Sequence, residues 1–277
     1  MNLLQTDIKR ALISWGFIAA TAGMAVVLFF GSFDSLIPLV QNAMGGGPPA
    51  GFHEQILITA MHSDVMLLCV PILAALPYTA AFVDDCKSGY LKEYLPRTGV
   101  GPYIQGKVLA SGVSGGLALF AGIILVWIIF ALVFTPMEIL PQVQDGAATG
   151  GAAIAKVAEA GQQGQQAGLS SMFPQILAES LLFFLAGAFW SLVGALFAAL
   201  TQSRYMAYAF PFILYYVLII LTTRYFTGLF ILNPQEWVRD TMEWPGGMWG
   251  LALFLGELII AAAVTYAIVI KRRLADV

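Results

Sequence analysis

Six long apolar runs dominate this sequence and leave few folds open to it. They cover approximately residues 11–30, 61–82, 108–133, 173–200, 207–224 and 248–270. A helix needs roughly 20 apolar residues to cross the hydrocarbon core of a bilayer. In lipid the backbone must satisfy its own hydrogen bonds, and a helix does so within one segment. We therefore predict an all-α membrane protein, a single transmembrane domain over 1–277 with six transmembrane helices.

The composition excludes most soluble functions. Hydrophobic residues make up 59% of the chain and charged residues only 10%, whereas a soluble domain carries about 25% charged residues. The net charge is −3, so the chain lacks the basic surface that binds nucleic acid. Cys69 and Cys86 are the two cysteines, too few for a disulfide framework or a thiolate metal site. We expect membrane lipid, and no nucleic acid, around the chain.

Lysine and arginine indicate the orientation, because they are enriched in cytoplasmic segments. With a cytoplasmic N-terminus, most of the 13 basic residues fall on the inner side: Lys9, Arg10, Lys87, Lys92, Arg97, Lys107, Arg204, Lys271, Arg272 and Arg273. The outer side holds Lys156, Arg224 and Arg239. We predict two cytoplasmic termini in a multi-pass protein of the cell membrane, the plasma or inner membrane of a bacterium.

The segments around the spans differ in character. Before the first span, leucines and isoleucine fall on one helical face, which predicts an N-terminal interfacial helix; a frayed end is the alternative that the sequence leaves open. Residues 134–172 are rich in Gly, Ala and Gln, and we predict a flexible outer loop there. Residues 225–247 contain a short apolar stub and the sequence Asn233-Pro234-Gln235-Glu236, which is typical of a helix start. We predict a re-entrant segment between spans five and six.

Two carboxyl groups fall inside predicted spans, Glu179 in the fourth and Glu257 in the sixth. An ionised carboxylate that faces lipid is unfavourable, so we expect both to face the bundle interior or water. They either line a transport path or bond to a neighbouring helix, to Arg224 or to Arg239, and the sequence leaves both roles open.

Two other patterns resemble sites without matching them. Residues 101–108 approach the phosphate loop of nucleotide-binding proteins, but Val108 replaces the hydroxyl that holds Mg²⁺ and no strand precedes the loop. We predict no ATP site there and expect Lys107 to be an anchor at the cytoplasmic boundary. His53, His62 and Asp64 fit no known metal spacing, so we predict no metal site and place them at the outer end of span two.

The inner segment between spans two and three predicts a short amphipathic helix. Tyr90 and Tyr94 are four residues apart, as are Leu91 and Leu95, so the four side chains share one apolar face. Charged residues border that face, and we expect Pro96 to stop the helix. Such a helix suits a groove on a partner protein; the alternative is a helix on the lipid headgroups, against which its mixed charge argues.

This inner segment resembles the corresponding loop of type 2 ABC exporter permeases. The shared pattern is an acidic residue, a variable pair, a small residue and Gly, a Leu-rich turn, Pro, and Gly-Lys at the next span. It is carried by Phe82-Val83-Asp84-Asp85, Ser88-Gly89, Tyr90 to Leu95, Pro96-Arg97 and Gly106-Lys107. The long 134–172 segment departs from the short outer loop that is usual in the family.

The resemblance implies a permease subunit of an ATP-driven exporter. The loop would be the coupling helix that seats in a separate ATPase, through Asp85, Gly89, Tyr90, Leu91, Glu93, Tyr94, Leu95, Pro96 and Arg97. Two permeases, identical or different, would work with two ATPases that carry ATP and Mg, while this chain holds no cofactor and catalyses no reaction. The alternatives are an ion- or proton-coupled carrier that uses Glu179 and Glu257, and a membrane assembly factor that transports nothing.

Overall fold

The computed structural model of the chain describes the backbone of residues 3–43, 52–148, 152–226, 230–238, 244 and 246–275. These residues form ten α-helices and a short 3-10 helix, and none of them lies in a strand. The α-helices are α1 Leu3–Leu12, α2 Trp15–Ala43, α3 Phe52–Met61, α4 Asp64–Ala75, α5 Ala81–Lys87, α6 Tyr90–Thr98, α7 Val100–Ala148, α8 Ala152–Thr201, α9 Arg204–Arg224 and α10 Gly247–Ala275. The all-α membrane fold is thus confirmed in its class.

Five described helices are long and apolar enough to cross a membrane, against six predicted spans. The helical stretches are Trp15–Phe33, Val100–Phe134, Met172–Thr201, Arg204–Arg224 and Gly247–Ala275. Span two is instead a pair, α3 and α4, bent by 68°. The pair is either a broken sixth span or a re-entrant loop, so the six-span topology and the position of the termini stay predictions.

Ser63 explains the break between α3 and α4. Its hydroxyl donates to the Ala60 carbonyl at 2.8 Å and accepts the Met66 amide hydrogen bond at 3.3 Å. One side chain therefore closes the end of one helix and caps the start of the next, a role for which serine is well suited. The predicted span, 61–82, begins at this break, so α3 lies almost entirely before the residues that were assigned to it.

A helix precedes the first span, as predicted, and Ser14 separates the two. The Ser14 hydroxyl donates to the carbonyls of Ala11, at 2.7 Å, and Pro77, at 3.1 Å, and it accepts the amide hydrogen bond of Phe17. Span one consequently begins at Trp15 rather than at residue 11. The interfacial position of α1 stays a prediction.

The described contacts divide the chain into two compact units. The first comprises Met1–Met24, Leu67–Gly122 and Leu181–Val277, and the second comprises Ala25–Met66 and Ile123–Ser180. Within the first unit, α7 and α8 approach closely where Gly115 lies against Ser191. The Ser191 hydroxyl donates to the Ser111 carbonyl at 2.8 Å. Small residues at these positions thus allow close helix contact.

Residues 134–172 differ from the predicted flexible loop. Their backbone is helical at 134–148, as the continuation of α7, and again at 152–172, as the start of α8. Alanine and glutamine, which suggested a linker, are also good helix formers. Composition alone does not separate a linker from an extension of the adjoining spans.

The described residues of the connector between α9 and α10 are partly buried, and the prediction that a helix starts at Asn233 is wrong. Asn233 instead forms a turn, in which its side-chain oxygen accepts the Gln235 amide and its carbonyl accepts the Glu236 amide. Side chains of asparagine commonly favour such turns over a helix start. The re-entrant path of 225–247 stays a prediction.

Trp237 fixes this connector. The indole is 3% exposed and donates to the Ile231 carbonyl at 2.7 Å. It stacks on Trp190, with ring centroids 6.0 Å apart, and meets Phe189 and Phe254 edge-on. Buried aromatic pairs of this kind add stability beyond the area that they bury. Trp237 therefore belongs to the core of the first unit.

Candidate functional site

The segment predicted to couple to an ATPase folds as two short helices, α5 and α6, joined at Gly89. Gly89 has a φ of +74° and begins α6, and Gly99, with a φ of +79°, ends it. Residues other than glycine rarely adopt a positive φ, because their Cβ is crowded there. A Cβ at Gly89 would meet no atom within 4 Å, so the backbone turn, and not crowding, requires glycine there.

Pro96 does not stop α6, contrary to the prediction. The helix continues through Pro96 to Thr98, and the Gly99 amide donates to the Leu95 carbonyl at 3.0 Å. Proline has no amide hydrogen, so it removes one backbone hydrogen bond from a helix. Because α6 ends two residues after Pro96, the helix tolerates this loss. Gly99 is the stop signal that the sequence reasoning overlooked.

The faces of α6 divide into an anchored side and an outward side. Leu91 is 3% exposed and packs inside the first unit. Tyr90 is 40% exposed, Lys92 and Pro96 are exposed, and Leu95 is half-buried. Leu91 and Leu95 therefore differ in environment although they are one turn apart. The side chains of Glu93, Tyr94 and Arg97 lie outside the described residues.

A buried ion cluster adjoins α6, and Lys107 is its centre. The Lys107 ammonium lies 2.7 Å from Asp85 Oδ2 and 3.4 Å from Asp7 Oδ1, and only 2% of its side chain is exposed. It also donates to the Tyr78 hydroxyl at 2.9 Å. Lys107 is thus not an anchor at the membrane boundary, because its charge is neutralised inside the protein.

Two tyrosines and an arginine complete the cluster. Tyr103 donates to Asp85 Oδ2 at 3.0 Å, and Tyr78 donates to Asp7 Oδ1 at 2.9 Å. Arg10 lies 3.6 Å from Asp85 Oδ1 with its side chain largely exposed. Two carboxylates therefore meet two cations, which is the arrangement that makes buried charge tolerable.

Asp84, beside Asp85, points to another helix. It forms an ion pair with Arg204 at the start of α9, and both side chains are partly exposed. Such a pair contributes little stability. Together, the two aspartates connect α5 to α1, α7 and α9. Two of these helices, α7 and α9, contain candidate spans.

Residues 101–108, which resembled a phosphate loop, lie entirely within helix α7. A phosphate loop needs a run of backbone amides that turn around an anion. Here only the first turn of α7 has amides without an intrahelical partner, and the later amides of 101–108 bond to carbonyls of the same helix. Lys107, which would have to reach the phosphates, is held by the ion cluster.

Glu179 lies in the second unit and is 1% exposed. Gln175, one helical turn earlier, donates to its Oε1 at 2.9 Å, and Nε2 of His62 lies 3.5 Å from its Oε2. Its described partners thus include a residue of the same helix and the histidine at the α3–α4 break. Arg239 lies outside the described residues.

Glu257 does not face the interior of its own chain. It is exposed on α10, so of the two expected surroundings the interior of its own bundle does not apply, and a surface outside the chain is left. His53 and Glu54 are buried in the second unit. Among the described residues no group of three or more His, Cys, Asp and Glu is arranged to hold a metal.

Comparisons with known proteins give no family. No protein-family model matches the chain, and neither does any curated protein or solved structure.

Proposed function

We propose that the chain is the membrane-spanning permease subunit of an ATP-driven ABC exporter in the cell membrane. In this proposal a separate ATPase subunit binds and hydrolyses ATP, and the chain itself catalyses nothing. The observation that carries the proposal is α6, a nine-residue helix between two glycines of positive φ, whose preceding helix is joined by charged side chains to α1, α7 and α9.

The mechanism follows from these connections. A partner that moves α6 also moves α5, because Ser88 and Gly89 join them directly. Asp85 passes the displacement to Lys107 at the start of α7, and Asp84 passes it to Arg204 at the start of α9. Both helices continue into candidate spans. Closure of two ATPases around bound ATP would thereby rearrange the spans of two permeases.

The exposed surface of α6 corrects which residues would meet the ATPase. Tyr90, Leu95 and Pro96 offer accessible apolar surface, whereas Leu91 is committed to the chain's own packing. We therefore assign docking to Tyr90, Leu95 and Pro96, and assign to Leu91 the anchoring of the helix. The sequence resemblance of residues 82–107 supports docking through this helix, but it had included Leu91 among the docking residues.

Co-purification tests the proposal. The full-length chain is expressed with the ABC ATPase encoded nearest its gene, and ATPase recovery and transport in vesicles are measured. The variant Tyr90→Ala/Leu95→Ala is expected to lose the ATPase and transport while its thermal unfolding is unchanged. Leu132→Ala, which removes exposed apolar surface far along α7, is the matched control and is expected to keep both. Equal ATPase recovery from both variants would contradict the proposal.

A proton-coupled carrier is the second candidate, and the buried contact between Glu179 and His62 favours it. The two functions differ in what drives transport. The carrier would transport without any ATPase and respond to a pH gradient, and His62→Gln or Glu179→Gln would abolish that response. Transport that requires the ATPase and ignores the gradient would exclude the carrier.

A further inference from the structure

Helix α10 carries an outward-facing stripe that its own chain leaves uncovered. Its exposed apolar members are four or seven residues apart, which places them on one face: Trp249, Leu253, Ile260, Val264 and Ile268. Glu257 lies in the middle of this stripe and is exposed too. The opposite face packs into the chain through Leu251, Leu255, Ala262, Tyr266 and Ile270.

The position of Glu257 along the helix places its carboxyl deep in a bilayer. At 1.5 Å per residue, Trp249 and Lys271 are about 33 Å apart, close to the ~30 Å thickness of the hydrocarbon core. Tryptophan and lysine are the residues that typically mark the two boundaries. Glu257 is about 12 Å from the first and about 21 Å from the second.

Lipid is therefore a poor neighbour for this stripe. Ionisable side chains at such depth almost always face protein or a watery cavity, because lipid offers them no hydrogen-bond partner. The apolar residues above and below Glu257 argue in turn against a wide aqueous surface. A protein surface that is apolar with one polar position at the same depth satisfies both.

A second copy of the chain has that surface. Two copies inserted in the same orientation and related by a two-fold axis normal to the membrane place the same residue at the same depth. Two carboxyl groups that meet in this way can share one proton in a hydrogen bond. We propose that the α10 stripe is the contact surface between two copies of this chain, with the two Glu257 side chains facing each other.

Gly256 supports the proposal independently. It lies beside Glu257, and a Cβ there would meet no atom of the chain within 4 Å. Packing within the chain therefore does not require a small residue at 256, in contrast to Gly115 at the α7–α8 contact. Glycine at a helix surface lets another helix approach closely, and an approaching α10 from the second copy would use that space.

The inference deepens the proposed function, since it names the surface that pairs two permeases, and disulfide crosslinking tests it. Single cysteines replace Leu253 or Ile260 in the full-length chain carrying Cys69→Ser and Cys86→Ser, and native membranes are oxidised. We expect a product of twice the chain's mass that contains both tags when two tagged forms are co-expressed. Val26→Cys on the exposed face of α2 is the control and is expected to give none.

Three results would overturn the inference. The cysteines could react with a membrane-impermeant thiol reagent without crosslinking, which would make the stripe a watery surface. They could crosslink to a different protein, or neither react nor crosslink, as expected against lipid. Each result assigns another neighbour to the stripe.

Variants of the two central residues sharpen the test. Glu257→Gln preserves side-chain hydrogen bonding and should keep the crosslink. Glu257→Leu should lower dimer association about threefold to thirtyfold, the range for polar contacts between transmembrane helices. Gly256→Phe should lower it as well without changing thermal unfolding of the chain. Equal crosslinking by all three variants would overturn the role of Glu257.

This outcome is separable from that of the transporter proposal. Crosslinking through α10 without recovery of any ATPase supports the dimer and removes the transporter. ATPase recovery with no α10 crosslink supports the transporter proposal and removes the α10 dimer.

Discussion

Lys107 Nζ lies 2.7 Å from Asp85 Oδ2, and only 2% and 3% of the two side chains are exposed. Removing both charges from water costs free energy that their attraction largely offsets, so an intact buried pair adds little net stability. Breaking it is different, because one charge then stays buried without its partner. The pair is therefore best understood as a restraint that fixes α5 against the start of α7.

Lys107→Met should accordingly destabilise the protein by about 3–5 kcal/mol, since Asp7 and Asp85 would stay buried without their shared cation. Thermal unfolding in detergent, followed by tryptophan fluorescence, measures the change. Lys107→Met with Asp85→Asn should be more stable than the two single effects summed, because the partners are coupled. Lys271→Met, at an exposed position, should change stability by less than about 0.5 kcal/mol. A Lys107→Met protein as stable as the original would contradict the restraint.

The sequence revealed this region without revealing its partners. Hydropathy located the spans, and the spacing of tyrosine and leucine predicted α6, because both signals are local along the chain. Lys107, in contrast, binds a residue 100 positions earlier, Asp7. Its position next to an apolar run is typical of a boundary anchor, and only tertiary structure shows that two aspartates converge on it.

Cys86 offers a prediction that depends on pH. Burial first, and then the negative charge of Asp85, raise the pKa of its thiol above the ordinary value. Because only the thiolate reacts with maleimide, a raised pKa lowers the reactive fraction at any pH below it. In a Cys69→Ser protein we expect Cys86 to label more slowly at pH 8 than in the unfolded chain, with its rate rising at higher pH than for a free thiol. Equal rates for the folded and unfolded chains at pH 8 would refute this.

Trp237 should control the stability of the connector. Trp237→Ala removes a buried indole and should cost about 3–5 kcal/mol. Trp237→Phe keeps a ring but leaves the Ile231 carbonyl without its donor, for about 1–3 kcal/mol. Light scattering during heating measures both, and Trp15→Ala, at an exposed site, is the control.

Labelling gives an independent check on the same connector. Val238 is 3% exposed, so Val238→Cys should react slowly with a thiol reagent in the folded protein. Trp237→Ala should make that cysteine reactive. Rapid labelling of Val238→Cys in the otherwise unchanged chain would show that the connector is not packed as described.

Glu179 should tolerate an amide better than a hydrocarbon. Glu179→Gln keeps an oxygen that can accept from Gln175 and should change stability by about 1 kcal/mol or less. Glu179→Leu removes this acceptor from Gln175 and His62 and should cost about 1–3 kcal/mol, the range for a buried polar group that loses its partner. If the two variants unfold at the same temperature in detergent, the contacts of Glu179 are not structural.

The carboxyl groups also show where sequence reasoning ends. Both Glu179 and Glu257 lie in apolar runs, and the cost of charge in lipid predicted that each needs a neighbour other than lipid. Hydropathy does not show which side of a helix faces the rest of the protein. It therefore did not distinguish the buried Glu179 from the exposed Glu257. That difference decides whether the neighbour belongs to the same chain.

Gly89 sets the angle between α5 and α6, so substitutions there test whether ATPase binding depends on that angle. Its φ of +74° costs a residue with a Cβ about 1–2 kcal/mol, while the open space around it means that a side chain meets no clash. Asparagine visits this backbone region more readily than alanine, and β-branched valine least readily. Recovery of the ATPase should therefore decrease in the order Gly, Asn, Ala, Val at position 89. Alanine at Gly101, which also has open space around it but lies within α7, should leave recovery unchanged. Equal recovery with glycine and with valine at position 89 would show that α6 acts without a fixed direction, and the docking surface of Tyr90, Leu95 and Pro96 would lose its structural basis.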